Sequence, residues 1–272
     1  MNYLQSITEI KREHCYDTRG SKPVRVFCND MNYYVCKYHT AQGFPFALFN
    51  EYIAARFLQI WGLPVPDVAF VQINNEHVHQ TPYPYHFFKK PTFGSRFMGD
   101  FKEVDKIFIE TSVLGKDNDS GRYSFLKIAL FDIWMCNEDR HFENFNLLYD
   151  LKKNTFVPID HVFCFNSMNL DKLPYLISNN ESLLSSPFLN RFFDRNLQSR
   201  SNEIRLKILD EFEHNVKCCY DELDKILSDT PLAWEPNPGY LKSRLETFFS
   251  SQWLKDCRNY FTKLYFINIK SN

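Results

Sequence analysis

The chain has 272 residues, 44 % of them apolar, and a formal net charge of −1 at neutral pH. That length suits two modest lobes or one large domain, and a charge so near zero excludes a generic nucleic-acid binder. Only eight glycines are present, which argues against a Gly-rich phosphate loop and a Rossmann-type turn.

The opening MNYLQSITEIKREH lacks the apolar stretch of a signal peptide. PVRVFCNDMNYYVCKY (23–38) predicts two strands around an Asn-Asp-Met-Asn turn, because its flanks are β-branched and aromatic while its centre tolerates left-handed backbone. ALFNEYIAARFLQIW (47–61) predicts a helix with Phe49, Ile53, Phe57 and Ile60 on one face. Gly62, then Pro64 and Pro66, stop it. DVAFVQI (67–73) predicts a strand, 74–86 a loop, and FFKK (87–90) with SRFMG (95–99) a further strand and a connector. HVH (77–79) supplies too few ligands for a metal site, and YPYHFF (83–88) reads as small-lobe packing.

A different composition follows residue 100. Residues 123–136 read as an apolar helix, and FNLLYD (145–150) with TFVPID (155–160) as a hairpin around LKKN. Ile204, Ile208, Phe212, Val216, Cys219, Leu223 and Leu227 mark a buried helix face, and 240–266 one or two more helices. The chain therefore divides into a small mixed unit, 1–100, and a larger, mainly helical unit, 101–272. The 27 Phe and 15 Tyr make its core aromatic. No CxxC pair occurs among the eight cysteines, so they read as reduced thiols of a cytoplasmic protein. No apolar run has the length of a membrane span.

Between the apolar helix and the hairpin lies CNEDRHFENF (136–145), dense in ionisable and amide groups. Asp139 there can orient a hydroxyl and accept its proton. Asn144 can offer its side-chain oxygen to Mg²⁺, and the hairpin delivers Asp160 as a second ligand, a pairing that suits a hard cation completed by phosphate and water. Lys37, at a strand end, can neutralise ATP phosphates, with Glu51 on the next helix holding its ammonium. Taken alone, Lys37 and Glu51 read as solvated charges, Asp160 as a turn cap and His141 as a structural hydrogen-bonding residue. Arg140 bridges to a phosphate or sits in water. The chain order of catalytic Asp, Asn, hairpin and metal Asp is that of phosphoryl transfer in kinase-like folds.

NEDRHFENF (137–145) resembles the Asn-x-Asp-x-His-x-x-Asn-Phe loop of the HipA-like kinase family, and IDH (159–161) its metal-binding Asp. GSKPVRVF (20–27) with YYVCKY (33–38), NEYIAARFLQIWGLPVPDV (50–68) and FGSRF (93–97) resemble its compact branch, so the likeness spans residues 18–165. The resemblance implies an α+β, two-lobed protein-kinase-like fold that uses ATP and Mg²⁺ to phosphorylate Ser or Thr hydroxyls. It implies Asp139 as catalytic base and Asn144 and Asp160 as Mg²⁺ ligands; His141, in the same catalytic loop, is read as bracing the loop backbone or Asp139. Lys37 becomes the phosphate-binding lysine, Glu51 its partner, and Ser21 the phosphate-loop serine. Phe97 and Met98, after Arg96, belong to the connector whose main chain meets adenine. The implied partner is a hydroxyl-bearing, protein substrate; the near-zero net charge predicts no direct nucleic-acid binding, and the lack of a Cys-rich cluster or basic run predicts no membrane binding. The Phe, Asn, Lys and Tyr content suits an AT-rich bacterial genome.

Two other classes compete with a protein kinase. A lipid kinase would share the loop logic, but neither a Cys-rich palmitoylation cluster nor a basic run is present, and a sugar- or antibiotic-phosphorylating kinase usually shows a His-Gly-Asp loop where this chain has Asn-Glu before Asp139. An inactive nucleotide-binding interaction module would be expected to have lost one of Lys37, Asp139, Asn144 or Asp160.

Overall fold

The computed structural model describes residues 1–18, 21–39, 46–111, 118–186, 189, 193, 198–235 and 237–270. Alternation of buried and half-buried residues builds the first sheet: Val24 and Val26 point into one layer while Arg25 and Phe27 point to the other. Its strands are β1 (Asn2–Gln5), β2 (Val24–Phe27), β3 (Tyr33–Lys37), β4 (Val68–Gln72) and β5 (Thr92–Arg96), in the order β1-β4-β5-β3-β2. β1 lies parallel to β4, and the other neighbours are antiparallel. The β2–β3 turn uses left-handed backbone at Met31 (φ 64°), and Asp30 Oδ2 accepts from the Tyr34 hydroxyl at 2.8 Å.

Two local readings change here. β1 was not foreseen: it is four residues long with only Leu4 buried, too short for a periodic signal. The strand expected near FFKK instead occupies Thr92–Arg96, and Tyr85–Phe88 coils into a 3₁₀ turn. Phe88 is fully buried behind the sheet, its ring 4.7 Å from Tyr38, so this aromatic run is core rather than strand. Gly94 allows β5 its central place, since a Cβ there would lie 2.9 Å from Val71 Cγ2.

Helix α1 (Ala47–Ile60) covers the Lys37 face of the sheet. It was expected to bury one face, yet Leu48 through Ala55 are all buried. The cause is tertiary: α1 is wedged between the sheet and the helical remainder, and the Tyr52 hydroxyl donates to the Ile226 carbonyl at 3.1 Å. Gly62, at φ 67°, closes the helix in left-handed backbone.

The second part begins with β6 (Lys102–Glu103) and α2 (Lys106–Thr111), then α3 (Asp119–Trp134), whose first turn is capped by Asn118 Oδ1 accepting from Gly121 N–H at 2.8 Å. β7 (Leu147–Asp150) and β8 (Thr155–Pro158) form the hairpin read from sequence, with β6 as an unforeseen third strand. Among the described residues, the helical part continues with α4 (Cys164–Met168), α5 (Gln198–Asp221), α6 (Leu223–Ser228), α7 (Pro238–Leu245) and α8 (Ser251–Lys270). One apolar cluster runs from α1, Phe70 and Phe93 through α3 to α5 and α8. At its centre Trp61 stacks on Trp134, ring centroids 5.4 Å apart. A fully buried large apolar side chain contributes about 1.5–3 kcal/mol, so this shared cluster binds the two parts together. All eight cysteines are free thiols.

Candidate active site

The polar loop starts where α3 ends. Cys136 takes left-handed backbone (φ 51°), and Asn137 N–H donates to the Asp132 carbonyl at 2.9 Å. The chain then folds on itself, with His141 and Asn144 exchanging both main-chain hydrogen bonds at 3.0 Å. His141 Nδ1 also accepts from Glu143 N–H at 3.3 Å. His141 thus braces the loop backbone.

Asp139 is held from two sides. Asn144 Nδ2 donates to its Oδ1 at 3.0 Å, and Asn146 Nδ2 donates to its Oδ2 at 3.2 Å. Burial raises the Asp139 pKa above the ordinary carboxylate value; the Asp160 charge adds to this, while the two amides pull it back. Because Asn144 spends its amide nitrogen on Asp139, its side-chain oxygen remains available as an acceptor. Asn146 was not singled out from sequence. Its signal was the second asparagine of NFN, a residue type that tolerates the left-handed backbone found there (φ 46°).

The hairpin returns the chain to Asp160, also left-handed at φ 57°. Its side chain is 36 % exposed, open enough to meet a ligand, and its Oδ1 lies 2.9 Å from Lys37 Nζ. Lys37 also pairs with Glu51 Oε1, and Glu51 is 2 % exposed, not on a solvated helix face. Burial alone would lower the Lys37 pKa, but the Asp160 and Glu51 carboxylates outweigh it and hold the ammonium above its ordinary value. Glu51 would be raised by burial, yet Lys37 and then His161 hold it well below the usual carboxylate range. His161 Nδ1 is 3.6 Å from Glu51 Oε2, and burial keeps this imidazole's pKa below its ordinary value. Next to Glu51, Asn50 Nδ2 donates to the carbonyls of Val162 at 2.8 Å and Cys164 at 3.0 Å, tying α1 to the segment after Asp160.

A cleft of about 370 Å³ opens beside the loop, with Val104, Leu147 and Ile159 as apolar lining and Glu143 and Asn144 among its polar residues. The donor set suits Mg²⁺: one carboxylate and one amide oxygen, both hard, with room for phosphate and water oxygens. Among the described residues no group of three or more His, Cys, Asp or Glu could hold a metal ion.

The structure brings Lys37, Glu51, Asp139, Asn144 and Asp160 into one site. Ser21 is half-buried ahead of β2, and Gly20 lies outside the described residues. Phe97 is 38 % exposed, lies 4.9 Å from the Arg25 guanidinium, and donates its N–H to the Tyr33 carbonyl at 2.7 Å. The Met98 carbonyl accepts from Phe101 N–H at 3.1 Å. Arg140, read as bridging a phosphate or sitting in water, does neither: it is fully buried and paired with Asp132 on α3. The signal was Asp132 itself, a charge inside the apolar run FLKIALFDIW. His77, in HVH, hydrogen-bonds Ser6 Oγ through Nδ1 at 2.8 Å.

A sheet-borne lysine paired with a helix glutamate, set against a mainly helical lobe, defines a two-lobed protein-kinase-like fold. The crystal structure of a Helicobacter pylori proinflammatory kinase, CtkA, matches it with a TM-score of 0.58 at 15 % identity, over 96 % of this chain and 99 % of that one. The Golgi casein kinase with Mn/ADP bound gives a TM-score of 0.44 at 13 % identity, over 93 % and 74 %. No curated protein sequence matches the chain. The family model for HipA-like kinases matches residues 7–261. The chain belongs to the HipA-like kinase family and is a kinase phosphotransferase. Among its described residues no helix is long and apolar enough to cross a membrane.

Proposed function

We propose that the protein transfers the γ-phosphoryl group of ATP to a Ser or Thr hydroxyl of a protein substrate, with Asp139 as base and Mg²⁺ held by Asn144 and Asp160. The observation that carries this reading is the Lys37–Asp160 contact of 2.9 Å, which joins a sheet-borne cation to a hairpin-borne carboxylate beside the Asp139 loop. Bound Mg²⁺ would neutralise phosphate charge as it develops. Lys37, kept cationic by its two carboxylates, attracts the phosphates to the same place. Glu51 fixes the ammonium from the helix side, so Lys37 need not swing in from solvent.

Asp139 accepts the proton of the acceptor hydroxyl as its oxygen bonds to phosphorus, and ADP departs with the electrons of the broken P–O bond. The Asn144 and Asn146 amides fix both carboxylate oxygens, so the base is oriented before substrate arrives. The apolar lining at Val104, Leu147 and Ile159 suits the nucleoside end of ATP. Main-chain groups of the 97–101 connector would meet the base, apart from those already used within the fold, which include the Phe97 and Phe101 N–H groups and the Met98 carbonyl.

The test is transfer of labelled γ-phosphate to a mixed protein acceptor, read by phosphoamino-acid analysis. Asp139→Asn is expected to lower turnover by roughly 10²–10⁴-fold, the usual worth of a positioned base, while ATP binding persists. Retained turnover in Asp139→Asn would reject Asp139 as base. Label on tyrosine, or on lipid alone, would reject the Ser/Thr assignment.

A further inference from the structure

Arg140 is fully buried, and so is Asp132, at 0 % and 1 % exposure. Burial pushes the Asp132 carboxyl up to about 6, against the opposing pull of Arg140 and Asn137. Asp132 Oδ1 accepts from Arg140 Nη1 and, at 2.9 Å, from Asn137 Nδ2, while its Oδ2 is buried with no hydrogen-bond partner. Buried ion pairs are a poor source of stability, because desolvation offsets most of their attraction. An apolar pair of similar volume would pack here without leaving a carboxylate oxygen unsatisfied. The arrangement therefore calls for a reason other than stability.

The rest of the guanidinium supplies one. Arg140 Nη2 donates to the Ile159 carbonyl at 2.8 Å and to the Asp160 carbonyl at 3.3 Å, and Nε reaches the Asn146 carbonyl at 3.4 Å. One planar group thus touches the end of α3, the residue that grips Asp139, and the main chain of the residue read as a metal ligand. Asn146 and Asp160 both hold left-handed backbone, a conformation that Asn and Asp tolerate better than other non-glycine residues and that turns the chain on either side of the site. Arg140 meets the carbonyl of each.

We propose that Arg140, anchored by Asp132, is a positioning residue that fixes Asp160 relative to Asp139. This rests on the kinase-site reading above. Lysine cannot replace the arginine, because an ammonium lacks the fork that serves Asp132 and three carbonyls from one plane.

Two variants test the idea. Arg140→Lys keeps a charge for Asp132 but loses the fork. The double variant Asp132→Leu/Arg140→Met removes the pair and keeps the volume. Both are expected to fold, as judged by circular dichroism and cooperative unfolding. Turnover should fall by about 10–100-fold, the usual cost of losing a group that orients a metal ligand. The Mg²⁺ concentration needed for half of the ATP-induced rise in unfolding midpoint should increase by a similar factor, with KM for the acceptor unchanged. A folded variant with wild-type turnover and wild-type Mg²⁺ dependence would overturn the proposal. So would failure of both variants to fold, which would assign the pair to stability alone. A wild-type protein with no ATP-induced rise at any Mg²⁺ concentration would overturn the kinase-site reading, and this proposal with it.

Discussion

At the residue scale, the Lys37–Glu51 pair is where stability and the proposed function meet. Glu51 has no exposed position to retreat to, so Lys37→Met leaves its charge buried without its closest partner. A loss of about 3–5 kcal/mol is expected, the usual cost of breaking a buried pair from one side, measured by denaturant unfolding; a loss near zero would mean that Lys37 does not compensate Glu51. The pair also sets a pH dependence. The Glu51 pKa in the folded state lies below its ordinary value of 4.5. Its contribution is therefore fully present above that ordinary value and is lost as pH falls through the depressed one. Glu51→Gln removes this titration, so its stability deficit should be constant from pH 8 to 5 and shrink below about pH 4.5. A deficit that grows on acidification would reverse the assignment. Lys37, Glu51, Asp139, Asn144 and Asp160 were all legible in sequence because five polar residues stand in kinase order on the expected element types. Arg140 was not, since its partner Asp132 sits one helix earlier and only the fold shows that both are buried.

At the element scale, what was legible followed from local pattern, and what was missed depended on distant partners. The β2–β3 and β7–β8 hairpins carry their own turn residues, and α1 and α3 are long apolar runs. β1 and β6 have no such signal: four and two residues long, they exist because β4 and β7 offer an edge. β5 was displaced because sequence alone did not distinguish the half-buried Phe87 and buried Phe88 from a strand. Gly94 gives this strand a direct test. Gly94→Ala puts a methyl within 2.9 Å of Val71 Cγ2 and 3.3 Å of Tyr34 Cβ, in the centre of the sheet. A destabilisation of about 1–3 kcal/mol is expected, as for other overpacked cores, read from the denaturant midpoint. An unchanged midpoint would mean that β4 and β5 are not packed as described.

At the scale of the whole molecule, α1 joins the two parts. It lies against the sheet, its Asn50 amide holds the backbone after Asp160, and its Tyr52 reaches α6. Movement of the sheet relative to the helical lobe therefore has to break either these hydrogen bonds or the Lys37–Glu51 pair that ties the helix to the sheet. The site sits at that junction, so nucleotide binding should be felt by the stability of the entire chain. Thermal unfolding with ATP and Mg²⁺, alongside Asp160→Ala, is the most direct measurement of the central claim. A ligand that binds only the folded state adds about 2.7 kcal/mol at a hundredfold excess over its Kd. The account predicts a Mg²⁺-dependent rise of several degrees in the wild-type midpoint and its loss in Asp160→Ala. No rise in the wild type, or an equal rise in the variant, would contradict it.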